Sequence, residues 1–261
     1  MTSFTGSDDL RAATFTDVDL QGARFVRANL GRVVMRGVDL DGADLDAPWL
    51  LDGTTSLVVN GVDVAPLVEV ELNRQFPGRA GRRANDPDGL RTNWAALEGA
   101  WSAAMDRVGL LPPEAVDVSV DGEWSFSQTL RHLIMATDVW FRGAILGLGQ
   151  PFHPLGQPNA EYETDGNDLT VFTPGIPQYA EVLAARADHV TLVHDFLATV
   201  TEDVLGAAHP NPWAPDYPET TLSCLQTILE EEWEHLRYAL RDLDVVEARG
   251  SHSASDPLHN M

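Results

Sequence analysis

EEEWEHLRYALRD, residues Glu230–Asp242, contains neither glycine nor proline and is rich in residues that favour a helix. In and around it Ile228, Leu229, Trp233, Leu236, Leu240 and Leu243 recur three, four or seven apart, the spacing of an amphipathic helix. Glu231 and His235 are then one turn apart on one face and can reach a single small target. A carboxylate and an imidazole so placed suit a borderline metal such as zinc, provided a third ligand arrives from another helix. The plainer alternative is a solvated glutamate run beside a lone surface histidine, and the rest of the chain has to separate the two.

Four segments after residue 89 carry helical periodicity. The first is predicted from Leu90 to Val108, with Trp94, Leu97, Trp101, Met105 and Val108 on one stripe, stopping at Gly109 before Pro112 and Pro113. The second opens at Trp124-Ser125, where Ser125 and Gln128 match a capping box, and is predicted to reach Leu146. A long connection rich in Gly and Pro separates it from a third, Gln178 to Val200. The fourth, Glu219 to Leu243, comes after the proline-rich loop His209–Pro215. Four helices of about 20 residues with apolar stripes describe a four-helix bundle, a fold that builds sites on inward faces. His132 lies on the second helix among Thr129, Met135, Ala136 and Val139, which turns it inward. A lone inward histidine is commonly a hydrogen-bonded core residue; beside Glu231 and His235 it completes an N, O, N triad.

Residues 8–50 repeat with a period of five, which is neither helical nor strand-like. Leu10, Phe15, Leu20, Phe25, Leu30, Met35, Leu40, Leu45 and Leu50 hold one register, with Ala or Val two residues before most of them. This resembles the pentapeptide-repeat family. The resemblance implies a right-handed quadrilateral β-helix of about two coils, with the central Leu or Phe inside. A DNA-mimic role, known among such proteins, is disfavoured: residues 8–50 hold eight Asp and five Arg, a net of only −3. A structural or docking role is expected instead.

The remaining boundaries are read from composition. Residues 1–54 form the repeat unit, 55–89 a strand pair turning at Asn60-Gly61 and a linker, 90–247 the bundle, and 248–261 a disordered tail. The chain is acidic, 17 basic against 40 acidic residues for a net charge of −23, which repels phosphate backbones, so no nucleic-acid partner is expected. All 17 basic residues are Arg, a bias that fits a high-GC bacterial genome. The start, MTSFTGSDDLRAATF, has neither a basic region nor an apolar run, and no stretch is apolar enough for a membrane span, so a cytoplasmic protein without a membrane partner is expected. One cysteine, Cys224, excludes an internal disulfide, and any metal must be held by His and carboxylate.

Trp-Ser followed seven residues later by His132-Leu133, with Glu231 and His235 four apart on the last helix, is similar to the DinB-like superfamily of bacterial four-helix bundles. The resemblance covers residues 90–243, and the ligand set His, Glu, His matches its mycothiol-dependent maleylpyruvate isomerase group. It implies a metal, zinc or nickel, held by His132, Glu231 and His235. Glu232 competes for the ligand role, but its helical angle suits the family geometry less well. The resemblance further implies a small-molecule substrate and an open coordination position for a water or a low-molecular-weight thiol, with the metal lowering its pKa. The expected function is a thiol S-transferase, thiol-dependent isomerase or hydrolase of a small electrophile. The alternative is a non-catalytic metal-binding interaction protein, a homodimer whose repeat docks a partner. A protein that sequesters or hydrolyses a natural product to give resistance is compatible with the same fold, and the sequence does not separate it from the enzyme. Trp213 and Cys224 are candidate pocket residues, Cys224 equally a small core residue two turns before Glu231. His189, His194, His209, His252 and His259 are expected to be structural or surface residues. No catalytic residue is assigned.

Overall fold

The computed structural model describes residues 3–51 and 53–254, and the chain divides into two compact units between Asp46 and Ala47. It is mainly helical, and no helix among the described residues is long and apolar enough to cross a membrane.

In the first unit the five-residue register is expressed as turns. Backbone bonds close at Ala13 N–Leu10 O (3.1 Å), Ala23 N–Leu20 O (2.9 Å), Val33 N–Leu30 O (3.1 Å) and Ala43 N–Leu40 O (3.0 Å), a period of ten. The residue before each of those leucines explains the doubling. Asp9, Asp19, Asn29 and Asp39 each accept from the backbone N–H two residues on, a local side-chain turn. Among the described residues this unit forms no strand, and Leu10, Phe15, Leu20, Phe25, Leu30, Met35, Leu40 and Leu45 stay 41–62 % exposed.

In the second unit a two-residue hairpin, β1 (Val58–Val59) and β2 (Val62–Asp63), turns at Asn60-Gly61 as expected. The segment after the hairpin is neither strand nor linker. The alternation in VEVEL imitates a strand, but Pro66 in the first turn and Asp63 accepting from Ala65 N–H start a helix, α1 (Ala65–Gln75). The 3₁₀ turn Arg79–Arg83 is packed: Arg79 and Arg82 are 1 % and 4 % exposed. Arg79 donates to Glu69 (3.0 Å), Asn73 (2.9 Å) and Glu234 (3.2 Å), and Arg82 to Glu69 (2.7 Å). Gly78 permits that approach, because a Cβ there would sit 2.6 Å from Ala96 Cβ at a φ of +103°.

Four long helical segments share one core. The first, α2 (Pro87–Val108), is capped by Asp86, and α3 (Phe126–Thr137) opens with the expected Ser125–Gln128 capping box. α3 passes into a π-helical turn, Asp138–Ile145, and Asp138 at its start is fully buried. α4 spans Tyr179–Thr199, a short α5 spans Glu202–Leu205, and β3 (Ala208–His209) pairs with β4 (Glu219–Thr220) to launch α6 (Thr221–Ala254). α6 outruns its expected end at Leu243, because Arg107 of α2 bridges to Asp244 and, at 2.6 Å, to Glu247. Residues 255–261 of the expected tail lie outside the described residues. Leu97, Leu130, Ile134, Val182, Ile228, Trp233 and Leu236 fill the shared core, all at most 2 % exposed. The long connection after α3 is folded around Phe152, Tyr162 and Phe172, whose ring centroids are 5.5–6.1 Å apart.

Glu69 makes the clamp testable. Burial raises its carboxyl, but hydrogen bonds from Arg82 and Arg79 outweigh that and hold it at about 2, below the ordinary 4.5. A depressed carboxylate stabilises the fold above its unfolded pKa and loses that contribution as pH falls through its folded one. Glu69→Gln, leaving two buried guanidinium groups short of a partner, should cost about 1–3 kcal/mol at pH 7, discounted for Glu69's partial exposure. In urea titrations of both proteins the gap should shrink from pH 4.5 downward and close near pH 2. A gap that stays constant across that window would refute the ionic clamp.

Candidate metal centre

α3 and α6 bring His132, Glu231 and His235 together, with one ligand-capable atom on each lying within 4.8 Å of the others. Among the described residues no fourth His, Cys, Asp or Glu joins them. Glu231 Oε2 is 3.5 Å from His132 Nε2 and 3.4 Å from His235 Nδ1. Zinc–ligand bonds of about 2.0–2.1 Å place tetrahedral neighbours about 3.3–3.4 Å apart. The His132 separation is close to that spacing and long for a charge-assisted hydrogen bond; the His235 distance is measured to its Nδ1, not to the Nε2 that would ligate.

Both imidazoles are set by carbonyl oxygens. His132 Nδ1 lies 3.1 Å from the Gln157 carbonyl, and His235 Nδ1 lies 2.8 Å from the Glu231 carbonyl one turn earlier. A carbonyl only accepts, so each Nδ1 carries a proton, which leaves Nε2 as the nitrogen a metal would use. Metal-binding histidines are oriented in this way. The His132 and His235 rings lie 4.6 Å apart, with Trp124 at 4.5 Å and 6.1 Å from them and Tyr238 5.7 Å from His235. Burial first, and then His132, push His235 down to about 4, which leaves it neutral and able to ligate at pH 7. Burial alone would raise Glu231, but the two histidines, His132 foremost, draw it below the ordinary carboxylate value.

Glu232 is turned away by about 100° of helical rotation. Its two oxygens lie 2.6 and 2.5 Å from Arg186 Nη2 of α4, both side chains buried. Burial pushes the Glu232 carboxyl up against the pull of Arg186. The ambiguity between the two glutamates is thereby resolved in space: Glu231 faces the histidines and Glu232 faces an arginine.

The other candidates fall elsewhere. Cys224 is fully buried and its thiol is pushed up to about 11, chiefly by that burial, so no surface is left for a substrate; it is a core residue. Trp213 is 48 % exposed and its ring meets Tyr162 of the connection at 6.3 Å, not the rings around the candidate centre. His194 bonds Glu98 at 3.2 Å and His209 bonds Thr221 at 2.8 Å. The His252 side chain and all of His259 lie outside the described residues. His189 is buried and lies 2.8 Å from Asp138. Asp138 in turn accepts from Arg142 (2.8 Å) and from the backbone of His153 (2.6 Å), which anchors the loop that presents the Gln157 carbonyl. That web escaped the reading of the sequence. Its one signal is an aspartate inside the apolar run LIMATDVWF.

Pentapeptide repeats, eight copies, match residues 9–46, and the sequence model of the DinB superfamily matches residues 96–239, a span holding all three clustered side chains. No curated protein and no solved structure matched the chain. With more than half of its length matched, the chain belongs to the DinB superfamily and carries an N-terminal segment of pentapeptide repeats.

Proposed function

We propose that the protein is a metal-dependent enzyme of DinB type, built as an up-down four-helix bundle, that acts on a small electrophile by thiol S-transfer, thiol-dependent isomerisation or hydrolysis. The observation that carries this is the triad itself: two imidazoles held with Nε2 free, a carboxylate at coordination spacing, and three protein ligands, the number a catalytic zinc site uses. His132, Glu231 and His235 would hold the metal, zinc before nickel. When bound it supplies a Lewis acid that polarises the substrate or lowers the pKa of a water or thiol. The chain's own part is to orient both rings through the Gln157 and Glu231 carbonyls and to wall the site with Trp124 and Tyr238. Mycothiol is one candidate thiol for such chemistry.

A second reading concerns the N-terminal repeat. Its eight apolar centres remain 41–62 % exposed, which favours an apolar docking face for another protein over the closed quadrilateral coil that the pentad register implies. Replacing Phe15 and Phe25 with Asp should then leave metal content and any turnover intact while abolishing self-association measured by light scattering or partner capture by defined candidates. Loss of turnover instead would tie the repeat to the active centre.

Elemental analysis of protein purified without a histidine tag tests the main reading. About one equivalent of zinc or nickel is expected in the wild type, falling at least tenfold in His235→Ala and Glu231→Gln, as loss of a primary ligand requires. Glu232→Gln should lower stability yet retain the metal. Metal that survives in His235→Ala, or that is lost in Glu232→Gln and kept in Glu231→Gln, would overturn the ligand assignment. For the metal-loaded enzyme, turnover of thiol–electrophile pairs should stop on chelation and return when the metal is restored.

A further inference from the structure

The capped end of α3 opens on a cavity of about 360 Å³, a volume suited to a small organic molecule. Ser127 and Arg131 line it, as do Asp117, Gln157, Phe172 and Ile176. Ser127 and Arg131 are four residues apart on α3 and share a face. Both are buried, at 2 % and 6 % exposure.

Arg131 uses Nε on the Leu155 carbonyl (2.9 Å) and makes one long contact, 3.4 Å, from Nη1 to the Gly175 carbonyl. Among the described residues, its Nη2 and the Ser127 hydroxyl have no hydrogen-bond partner, and no carboxylate forms an ion pair with Arg131. Neither group is among the polar atoms sealed inside protein, so the surface each retains faces the cavity it lines. A guanidinium buried without a counter-ion is unfavourable, and burial holds this one below its ordinary pKa, with Asp117 the one charge that offsets the effect.

We propose that this cavity binds the carboxylate of a small organic acid. Arg131 Nη2 and the Ser127 hydroxyl donate to its two oxygens, and Phe172 and Ile176 cover its apolar body. A carboxylate fits better than a phosphate, because Asp117 stands at the same wall and the chain's net charge of −23 opposes a dianion. The site does not depend on the metal-enzyme reading. Its connection to the metal centre is Gln157, which lines the cavity and whose carbonyl orients His132.

The test is calorimetric titration of the full-length protein with phenylacetate and, separately, with inorganic phosphate. Phenylacetate should saturate at about millimolar concentration or below and bind more tightly than phosphate. Ser127→Ala should weaken it about tenfold and Arg131→Gln should abolish binding, the loss of hydrogen bonds to a charged group. Asp117→Asn, which removes a repelling charge, should tighten it several-fold. Arg131 also restrains Leu155 and Gly175, so Ser127→Ala and Asp117→Asn decide the matter if Arg131→Gln does not fold. Dialysis against EDTA should leave binding unchanged, which keeps failure here distinct from failure of the metal reading. The proposal is overturned by no phenylacetate binding up to about 10 mM, by affinity unaltered in Ser127→Ala and Asp117→Asn, by tighter binding of phosphate, or by binding that EDTA abolishes.

Discussion

Five consecutive residues of α6 are each committed to a different partner, and that commitment fixes the rotation of the helix on which the second unit depends. Glu230 bonds Arg83 at 2.8 Å, Glu231 faces His132, Glu232 bonds Arg186 of α4, Trp233 donates its indole N–H to Asn93 of α2 at 3.0 Å, and Glu234 meets Arg79 at 3.2 Å. Rotating α6 by one residue would strand at least two buried charges and an indole N–H. Breaking a single buried ion pair costs about 3–5 kcal/mol. The placement of Glu231 and His235 toward α3 is therefore a consequence of where Glu232 and Trp233 have to point, and the candidate metal centre inherits its geometry from interactions that touch no metal.

The opposite side of the centre is held by a second buried carboxylate. Asp138 sits at the start of the π-helical turn and gathers His189 from α4, Arg142 one turn on and the backbone N–H of His153. His153 Nδ1 accepts from Leu155 N–H, Arg131 holds the Leu155 carbonyl, and Gln157 N–H returns to the Arg131 carbonyl. The end of that chain is the Gln157 carbonyl, which decides the tautomer of His132. A connection rich in Gly and Pro thus acts as a rigid strap, because its polar groups close on buried charges instead of on water.

The parts legible in the sequence are those with a period or a cap. Apolar stripes located the four long helices, Ser125 and Gln128 placed the start of α3, and i, i+4 spacing placed Glu231 beside His235. The π-helical turn was hidden because its residues keep an apolar pattern; the cause is one aspartate whose partners are 15 and 51 residues away. α1 was hidden by VEVEL, where a period-two pattern coincides with glutamates that serve arginines one turn or more distant. The turn Arg79–Arg83 looked like a linker because arginine and glycine signal solvent, whereas Arg79 and Arg82 are buried against Glu69. The pentads were legible as a register, yet the ten-residue period came from Asp and Asn at every second repeat. In each case the missed feature is a polar interaction, most of them long-range, and local apolar pattern carries no information about its partner.

Glu231 and Glu232 present the remaining physical problem, since two adjacent carboxylates of a largely buried segment repel each other and each bears a desolvation cost. The fold answers them differently. Glu232 has a permanent cation, Arg186, with the Trp101 ring 6.0 Å from that guanidinium, and is closed off at 1 % exposure. Glu231 has only two imidazoles, whose Nδ1 protons are directed to carbonyls, and it keeps 28 % of its side chain open. A carboxylate compensated by imidazoles alone, with no permanent cation, is the weaker of the two arrangements in a region of low dielectric constant. It is also the one that a divalent cation would stabilise most, by supplying the charge the protein withholds. Glu232 is thus closed in a buried ion pair, whereas Glu231 is left without an arginine and open to a cation from outside the chain.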